Sequence, residues 1–541
     1  MFCRLPIFCS SILIAVIACG CARQPSSVPT VQRLAVLPLE NLSSDPQWNW
    51  CARASAGVVE YDLAGAKNIF AKSVESISAA QSMHAARALE GYFFERNGRI
   101  GIRATVEDLG TTRAVEQFEL DGPVANGFLP LANELARRMS SQARPFGTAN
   151  ENAFRFYGEA LTASDADTRE RSIEGAKAAD PGFALIYRDQ AGLLAGAGAR
   201  DRALEVIQAG ERGRLDSIDR ADLQYVAAAV SGDRTAQVQA LETLTRATPA
   251  NATLFADLGA EQLSQRNFSE AVRSYQEASV LNPEDPRIWN ELGYALAWTR
   301  NLQGARRALQ EYERLAPGDV NAVDSLGEVS FFLGDFEAAA KYFERAAGRS
   351  RAEFLKAAEA RLMLGDLAGA DAFFAKYAAG LRPEAAAYQL AQWQFLTGRK
   401  SAGIAAMKKL AAELSGEPQT LARSQLAIWE GSIGVTGPLP LLLAGKFREA
   451  LPDLEAAFQK TNPSTDGQIR VLLAWALVET GSMDRAANLL ELCPLPLSSG
   501  DARFASLIFP RYFALRAAIL DKQGKPEEAK KNLDLDRKYG G

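Results

Sequence analysis

A glycine recurs at Gly259, Gly293 and Gly327, 34 residues apart each time. Leu258, Leu292 and Leu326 precede these glycines. Ala271, Ala305 and Ala339 follow twelve residues later, and Tyr275, Leu309 and Phe343 four residues after that. Pro283 and Pro317 close the first two units. A fixed period of this size means one supersecondary unit repeated and stacked, so the chain grows by adding layers and not by enlarging one core. Small residues at the glycine and alanine positions let two helices approach closely. The bulky residues then fill the space between successive hairpins, and proline ends the second helix because it cannot continue the hydrogen-bond ladder. At about 150 residues per domain, 541 residues suggest three or four domains. The repeat replaces that estimate with one solenoid over 151–537.

The unit over 252–351 is the clearest. A turn-plus-helix signature, Gly-X-hydrophobic-X-X-Ala, extends the pattern at Gly334–Ala339, Gly365–Ala370, Gly445–Ala450, Gly481–Ala486 and Gly524–Ala529. Weaker units fit 151–181, 183–210, 219–249 and 384–413, and a Gly- and Pro-rich stretch at 431–440 interrupts the series. The pattern resembles the tetratricopeptide repeat, a helix-turn-helix of 34 residues. The resemblance implies a mainly α protein: an α-solenoid of about ten helical hairpins, preceded by a small α/β domain. It also implies a concave groove, lined by the first helix of each unit, that binds an extended peptide or a protein helix. In the clear units the groove-facing residues are Arg287, Asn290, Tyr294, Trp298, Asp324, Glu328 and Phe332. Trp298 and Phe332 serve either as anchors for a ligand or as packing between repeats. Ala256 and Ala260 take the equivalent places in the preceding unit, so the Lys/Asn clamp by which some repeats of this family hold a C-terminal carboxylate is missing.

The N-terminus reads as an export signal over residues 1–18. Arg4 supplies positive charge, and Leu5 to Ala18 is a mostly apolar stretch too short for a spanning helix. Val16-Ile17-Ala18-Cys19 resembles a bacterial lipobox, which implies lipidation at Cys19, with Cys21 as the alternative. Residues 19–31 then form a lipid-anchored tether of flexible composition. The resemblance places the protein in the cell envelope, facing the periplasm and held on a membrane without a spanning helix. Gly20 after the cysteine favours the outer membrane over the inner. Cys51 and Cys493 remain in the folded part and are expected as two buried free thiols.

Between tether and solenoid, residues 32–145 read as a small mixed domain. Strands are expected at 32–38, 68–72, 88–95, 99–108 and 113–120, with helices at 49–63, 78–86 and 126–141. Asn97-Gly98 marks a hairpin. Three segments, LAVLPLENLSSDP at 34–46, LEGYFFERNGRIGIRATVEDLGT at 89–111 and LPLANELARRM at 129–139, resemble the TolB N-terminal-like domain. That resemblance implies envelope-assembly or signalling partners and no reaction. Trp48, Trp50 and Cys51 depart from its usual pattern.

Composition narrows the function. Sixty Lys plus Arg against 65 Asp plus Glu give a net charge of −5, which excludes the basic footprint of a nucleic-acid binder. The one histidine, His84, excludes His-rich metal sites and leaves little room for Ser-His or Cys-His catalysis. No phosphate loop, HExxH or GxSxG motif occurs. Gly196-Ala197-Gly198 lacks the third glycine of a dinucleotide loop and reads as a helix-hairpin turn. The expectation is a non-enzymatic protein without metal or cofactor that binds protein or peptide partners as a scaffold or adaptor. The alternative is an envelope sensory or regulatory component with a ligand-binding N-terminal domain.

Overall fold

The computed structural model describes residues 31–43, 45–213, 215–431, 437–463, 465–493 and 502–540. Cys19, Cys21 and the export signal lie outside the described residues, as do residues 432–436 of the interrupting stretch.

The N-terminal unit is a mixed sheet with helices against it. Its strands are β1 (Gln32–Val36), β2 (Glu40–Asn41), β3 (Ile69–Ser73), β4 (Arg87–Arg96), β5 (Arg99–Asp108) and β6 (Arg113–Pro123). The order is β3-β1-β4-β5-β6, with β2 paired to β4. β1 runs parallel to β3 and β4, while β4, β5 and β6 form an antiparallel meander. Asn97 and Gly98 both take positive φ, 52° and 72°, as a two-residue turn matching strand twist requires. The alternation of β5 puts Ile100, Ile102, Ala104 and Val106 in the core. Over them pack α1 (Cys51–Leu63) and α3 (Leu129–Met139), the latter through Leu129, Ala132, Leu135 and Ala136. The short α2 (Ile77–Ser82) lies beside Ala35 and Ala88 through Ala80.

Helical hairpins follow. The first three are α4 (Glu151–Thr162) with α5 (Ala166–Ala179), α6 (Ala184–Gly196) with α7 (Arg200–Gly210), and α8 (Ser217–Ser231) with α9 (Arg234–Ala247). The central ones are α10 (Ala252–Ser264) with α11 (Phe268–Leu281), α12 (Pro286–Trp298) with α13 (Leu302–Leu315), α14 (Val320–Phe332) with α15 (Phe336–Ala347), and α16 (Ala352–Met363) with α17 (Leu367–Ala378). Then come α18 (Pro383–Leu396) with α19 (Lys400–Glu413), against which α20 (Gly416–Trp429) packs. The chain ends with α21 (Pro438–Leu443) and α22 (Phe447–Lys460), α23 (Gly467–Glu479) and α24 (Met483–Leu489), and α25 (Ala502–Lys522) and α26 (Pro526–Gly540). The fold is therefore the expected mainly α solenoid behind a small α/β unit.

The periodic glycines act inside each hairpin. A Cβ at Gly259, Gly293 or Gly327 would come within 2.9 Å of Tyr275, 2.6 Å of Leu309 or 2.5 Å of Phe343. The bulky residues expected between successive hairpins thus sit directly on the glycine of their own hairpin, closing it at the contact point.

Two further features are tertiary. First, the α/β unit shares its core with the opening repeats. Phe146 stacks edge-on with Tyr61 of α1, Phe154 of α4 and Phe183. Trp50, one of the departures from the TolB-like pattern, meets Phe154 at 5.2 Å and covers Gly158. Arg144 lies 3.7 Å above the Tyr61 ring and pairs with Asp216 and Asp219 at the start of α8. Second, the C-terminal hairpins fold back on the central ones. The Tyr539 hydroxyl donates to Leu362 O at 2.8 Å, and Lys538 Nζ to Gly365 O at 2.6 Å. Cys51 and Cys493 are both buried and are not joined in a disulfide. Among the described residues, no helix is long and apolar enough to cross a membrane.

Candidate partner-binding groove

The seven expected groove residues fall on two successive inner helices, α12 and α14, and the structure sorts them into a polar network and an aromatic stack. Asp285 caps α12, accepting from Arg287 N at 2.9 Å, and pairs with the Arg287 guanidinium at 2.8 Å. The Arg287 side chain is otherwise exposed, at 86%. Asn290 Oδ1 accepts from Ser325 Oγ at 2.9 Å, and the Tyr294 hydroxyl donates to Glu328 at 2.7 Å.

Lys356, on the next inner helix α16, joins the network. Its Nζ donates to Asp324 at 2.6 Å and to Glu328 at 3.0 Å, and Glu353 lies 3.5 Å away. Burial opposes its charge, but Glu328 and Asp324 outweigh that and raise the Lys356 ammonium above its usual range. Burial, with the neighbouring Asp324, pushes the Glu353 carboxyl up. Asn290, Tyr294, Asp324 and Glu328 are thus brought together, through Ser325 and Lys356, across three repeats. Lys356 and Glu353 escaped sequence reasoning because the clear period ends at about residue 351, just before the helix that carries them.

Trp298 and Phe332 form the second set. Phe268, Trp298 and Phe332 stack in order, 5.7 Å between successive centroids and 18° and 26° between planes. The two expected residues are buried, Trp298 to 8% exposure and Phe332 to 6%. They therefore pack between repeats, and the C-terminal hairpins cover them as well. The Arg470 guanidinium of α23 lies 5.1 Å from the Trp298 ring centroid, and Cys493 N donates to Phe332 O at 2.8 Å.

The turns beside this stack carry a distinctive substitution. In neighbouring hairpins the turn residue with left-handed backbone is glycine, as at Gly232, Gly334 and Gly365. At the turns of α10–α11 and α12–α13 it is Arg266 and Arg300, each with φ 63°. A non-glycine residue there costs about 1 kcal/mol. Both side chains cross to the C-terminal hairpins. Arg266 donates to Phe458 O at 2.9 Å and Thr461 O at 3.2 Å and pairs with buried Asp466 at 2.8 Å. Arg300 pairs with Glu491. Residues nearly 200 positions apart in sequence are joined, which no local periodicity announces.

A cavity of about 720 Å³ lies between the aromatic stack and the C-terminal hairpins. Its walls include Phe268, Trp298, Arg300, Phe458, Arg470 and Arg485. A second, polar cavity of about 450 Å³ lies between α1 and the inner helices of the first repeats, lined by Arg53, Glu60, Lys72, Arg188, Asp189 and Asp222 among others. Its charges are matched in pairs: Lys72 with Glu60 at 2.7 Å, and Arg188 with Asp189 and Asp222 at 2.7 and 2.8 Å.

Comparison with known proteins bears on the repeats. Tetratricopeptide-repeat family models match residues 256–320, 321–353 and 441–508. No curated protein matches the chain. Among solved structures, MamA (residues 41 to the end) from Desulfovibrio magneticus RS-1 is 21% identical over 31% of this chain and 96% of its own, with a TM-score of 0.29. A tetratricopeptide repeat protein from Parabacteroides merdae ATCC 43184 is 14% identical over 45% and 97%, with a TM-score of 0.34. YrrB, described as a TPR protein with an unusual peptide-binding site, is 23% identical over 32% and 91%, with a TM-score of 0.29. The matched segments coincide with the hairpins on both sides of the larger cavity, and over these segments the chain carries tetratricopeptide repeats.

Proposed function

We propose that this protein is a non-enzymatic adaptor of the cell envelope, held on a membrane by lipid at Cys19 and binding a protein or peptide partner through its repeats. The observation that carries the reading is the pairing of tetratricopeptide repeats with a Trp298-walled cavity between two sets of them. Such hairpins offer rigid, closely spaced helix faces, and stacked repeats commonly use them to hold an extended chain. The lipobox-like Val16–Cys19 and the TolB-like segments support an envelope location. The test is mild cross-linking on membranes followed by recovery of the intact protein. A defined partner protein, recovered in fixed proportion, is expected. Recovery of the folded protein alone overturns the reading.

A second reading, a sensory component that takes a small ligand at its N-terminal domain, draws on the 450 Å³ cavity beside α1. Because that domain shares its core with the repeats, the full chain is the object to test, and a ligand-induced melting shift abolished by Lys72→Gln would favour it.

A further inference from the structure

We propose that the 720 Å³ cavity between the Phe268–Trp298 stack and the C-terminal hairpins takes an acidic side chain of the partner, presented on a short extended peptide with an apolar residue beside it. The proposal rests on the reading of the chain as a peptide-binding adaptor and names the chemistry of what it binds.

Charge is the first argument. At the rim, Arg300 pairs with Glu491 and Arg485 with Glu455, so each guanidinium there is matched. Deeper in, Arg266 and Arg470, whose side chains are 15% and 6% exposed, share a single carboxylate, Asp466, which is 1% exposed. The Nε–H of each is buried without an acceptor among the described residues. One guanidinium charge is therefore in excess at this buried cluster. An uncompensated buried charge is destabilising by several kcal/mol, and a carboxylate brought in by a ligand offsets it.

Shape and lining give the second argument. The cavity is of the size that encloses a ligand, and far larger than one carboxylate. Its apolar walls, Phe268, Trp298, Phe458 and Leu473, fit a neighbouring aliphatic or aromatic side chain. The site is separate from the polar network on α12, α14 and α16, where Lys356 is already surrounded by Asp324, Glu328 and Glu353. That network has no excess cation to offer an acid.

The test is selection of a displayed random dodecapeptide library on the detergent-solubilised full chain, with binding of the selected peptides then measured by fluorescence anisotropy. The expected result is enrichment of Asp or Glu next to Leu, Phe or Tyr. Binding should weaken at least tenfold in Arg470→Gln and strengthen in Asp466→Asn, which removes the competing carboxylate. Because either buried variant can disturb folding, the exposed Arg485→Gln is measured too; it leaves Glu455 unmatched at the rim and is expected to weaken binding with the melting temperature unchanged. The exposed Lys409→Gln, outside the cavity, should bind as the parent does. Peptides selected without acidic enrichment, or indifferent to every arginine variant, overturn this site and leave the adaptor reading standing. A library that yields no binder overturns both.

Discussion

At Asp62 the fold holds a carboxyl away from water. The residue is fully buried at the end of α1, and its carboxyl oxygens have no hydrogen-bond partner among the described residues. Burial pushes it up to about 8, against the pull of Arg144 and Arg137. The folded value lies above the unfolded value of about 3.9, so the folded state keeps a proton that the unfolded state releases. The contribution of this one carboxyl to stability should then be fullest below about pH 4 and fall by about 1.4 kcal/mol per pH unit until about pH 8. Asp62→Asn is expected to raise the melting temperature by several degrees at pH 8 and little at pH 4. An equal shift at both pH values would contradict the buried, protonated carboxyl. Glycines make a second contrast. Gly327→Ala drives a Cβ to 2.5 Å from Phe343 and should cost about 1–3 kcal/mol in denaturant unfolding. Gly192→Ala, in α6 with nothing within 4 Å, should be neutral or stabilising by up to about 1 kcal/mol. The periodic glycines were readable in the sequence because contact within a hairpin is local. Asp62 was not, since its environment is assembled from Arg144 and other residues distant along the chain.

Among elements, the α10–α11 and α12–α13 turns differ from their neighbours in what they join. Each places an arginine where glycine would be unstrained, and each arginine ends on the C-terminal hairpins. Arg266→Gly should relax its own turn by about 1 kcal/mol and leave Asp466 paired with Arg470, while removing the charged hydrogen bonds to Phe458 O and Thr461 O, a loss of about 1.5–3 kcal/mol each. Amide hydrogen exchange should then accelerate in α22, α23 and α24 and stay unchanged in α12 and α13. Faster exchange confined to α10 and α11 would show that Arg266 serves only its own turn. Hairpin positions followed from the Gly-X-hydrophobic-X-X-Ala signature, and the groove residues from their place on the inner helices. The signature carries no information about what covers the ends of those helices. Trp298 and Phe332 were therefore legible as large residues at repeat positions, while Arg470 and Cys493 above them were not.

For the whole molecule, the unit of function is larger than one groove. The α/β unit is fused to the first repeats through Phe146, and the last hairpins return to the central ones through Arg266, Arg300 and Tyr539. The proposed membrane attachment belongs to this scale and is tested apart from binding. Cys19→Ser should release the protein from membranes or leave it unprocessed, read by fractionation and mass, whereas an anchored, acylated Cys19→Ser protein would move the lipid to Cys21. The central claim is that the repeats hold a partner at the cavity between the two sets of hairpins. Its most direct measurement is photo-cross-linking in intact cells with a benzophenone amino acid at Gln459, on the cavity wall, or at Gln310, on the exposed surface of α13. A discrete adduct with one partner protein is expected from position 459 and none from position 310. No adduct from a folded protein labelled at 459, or the same adducts from both positions, would contradict it.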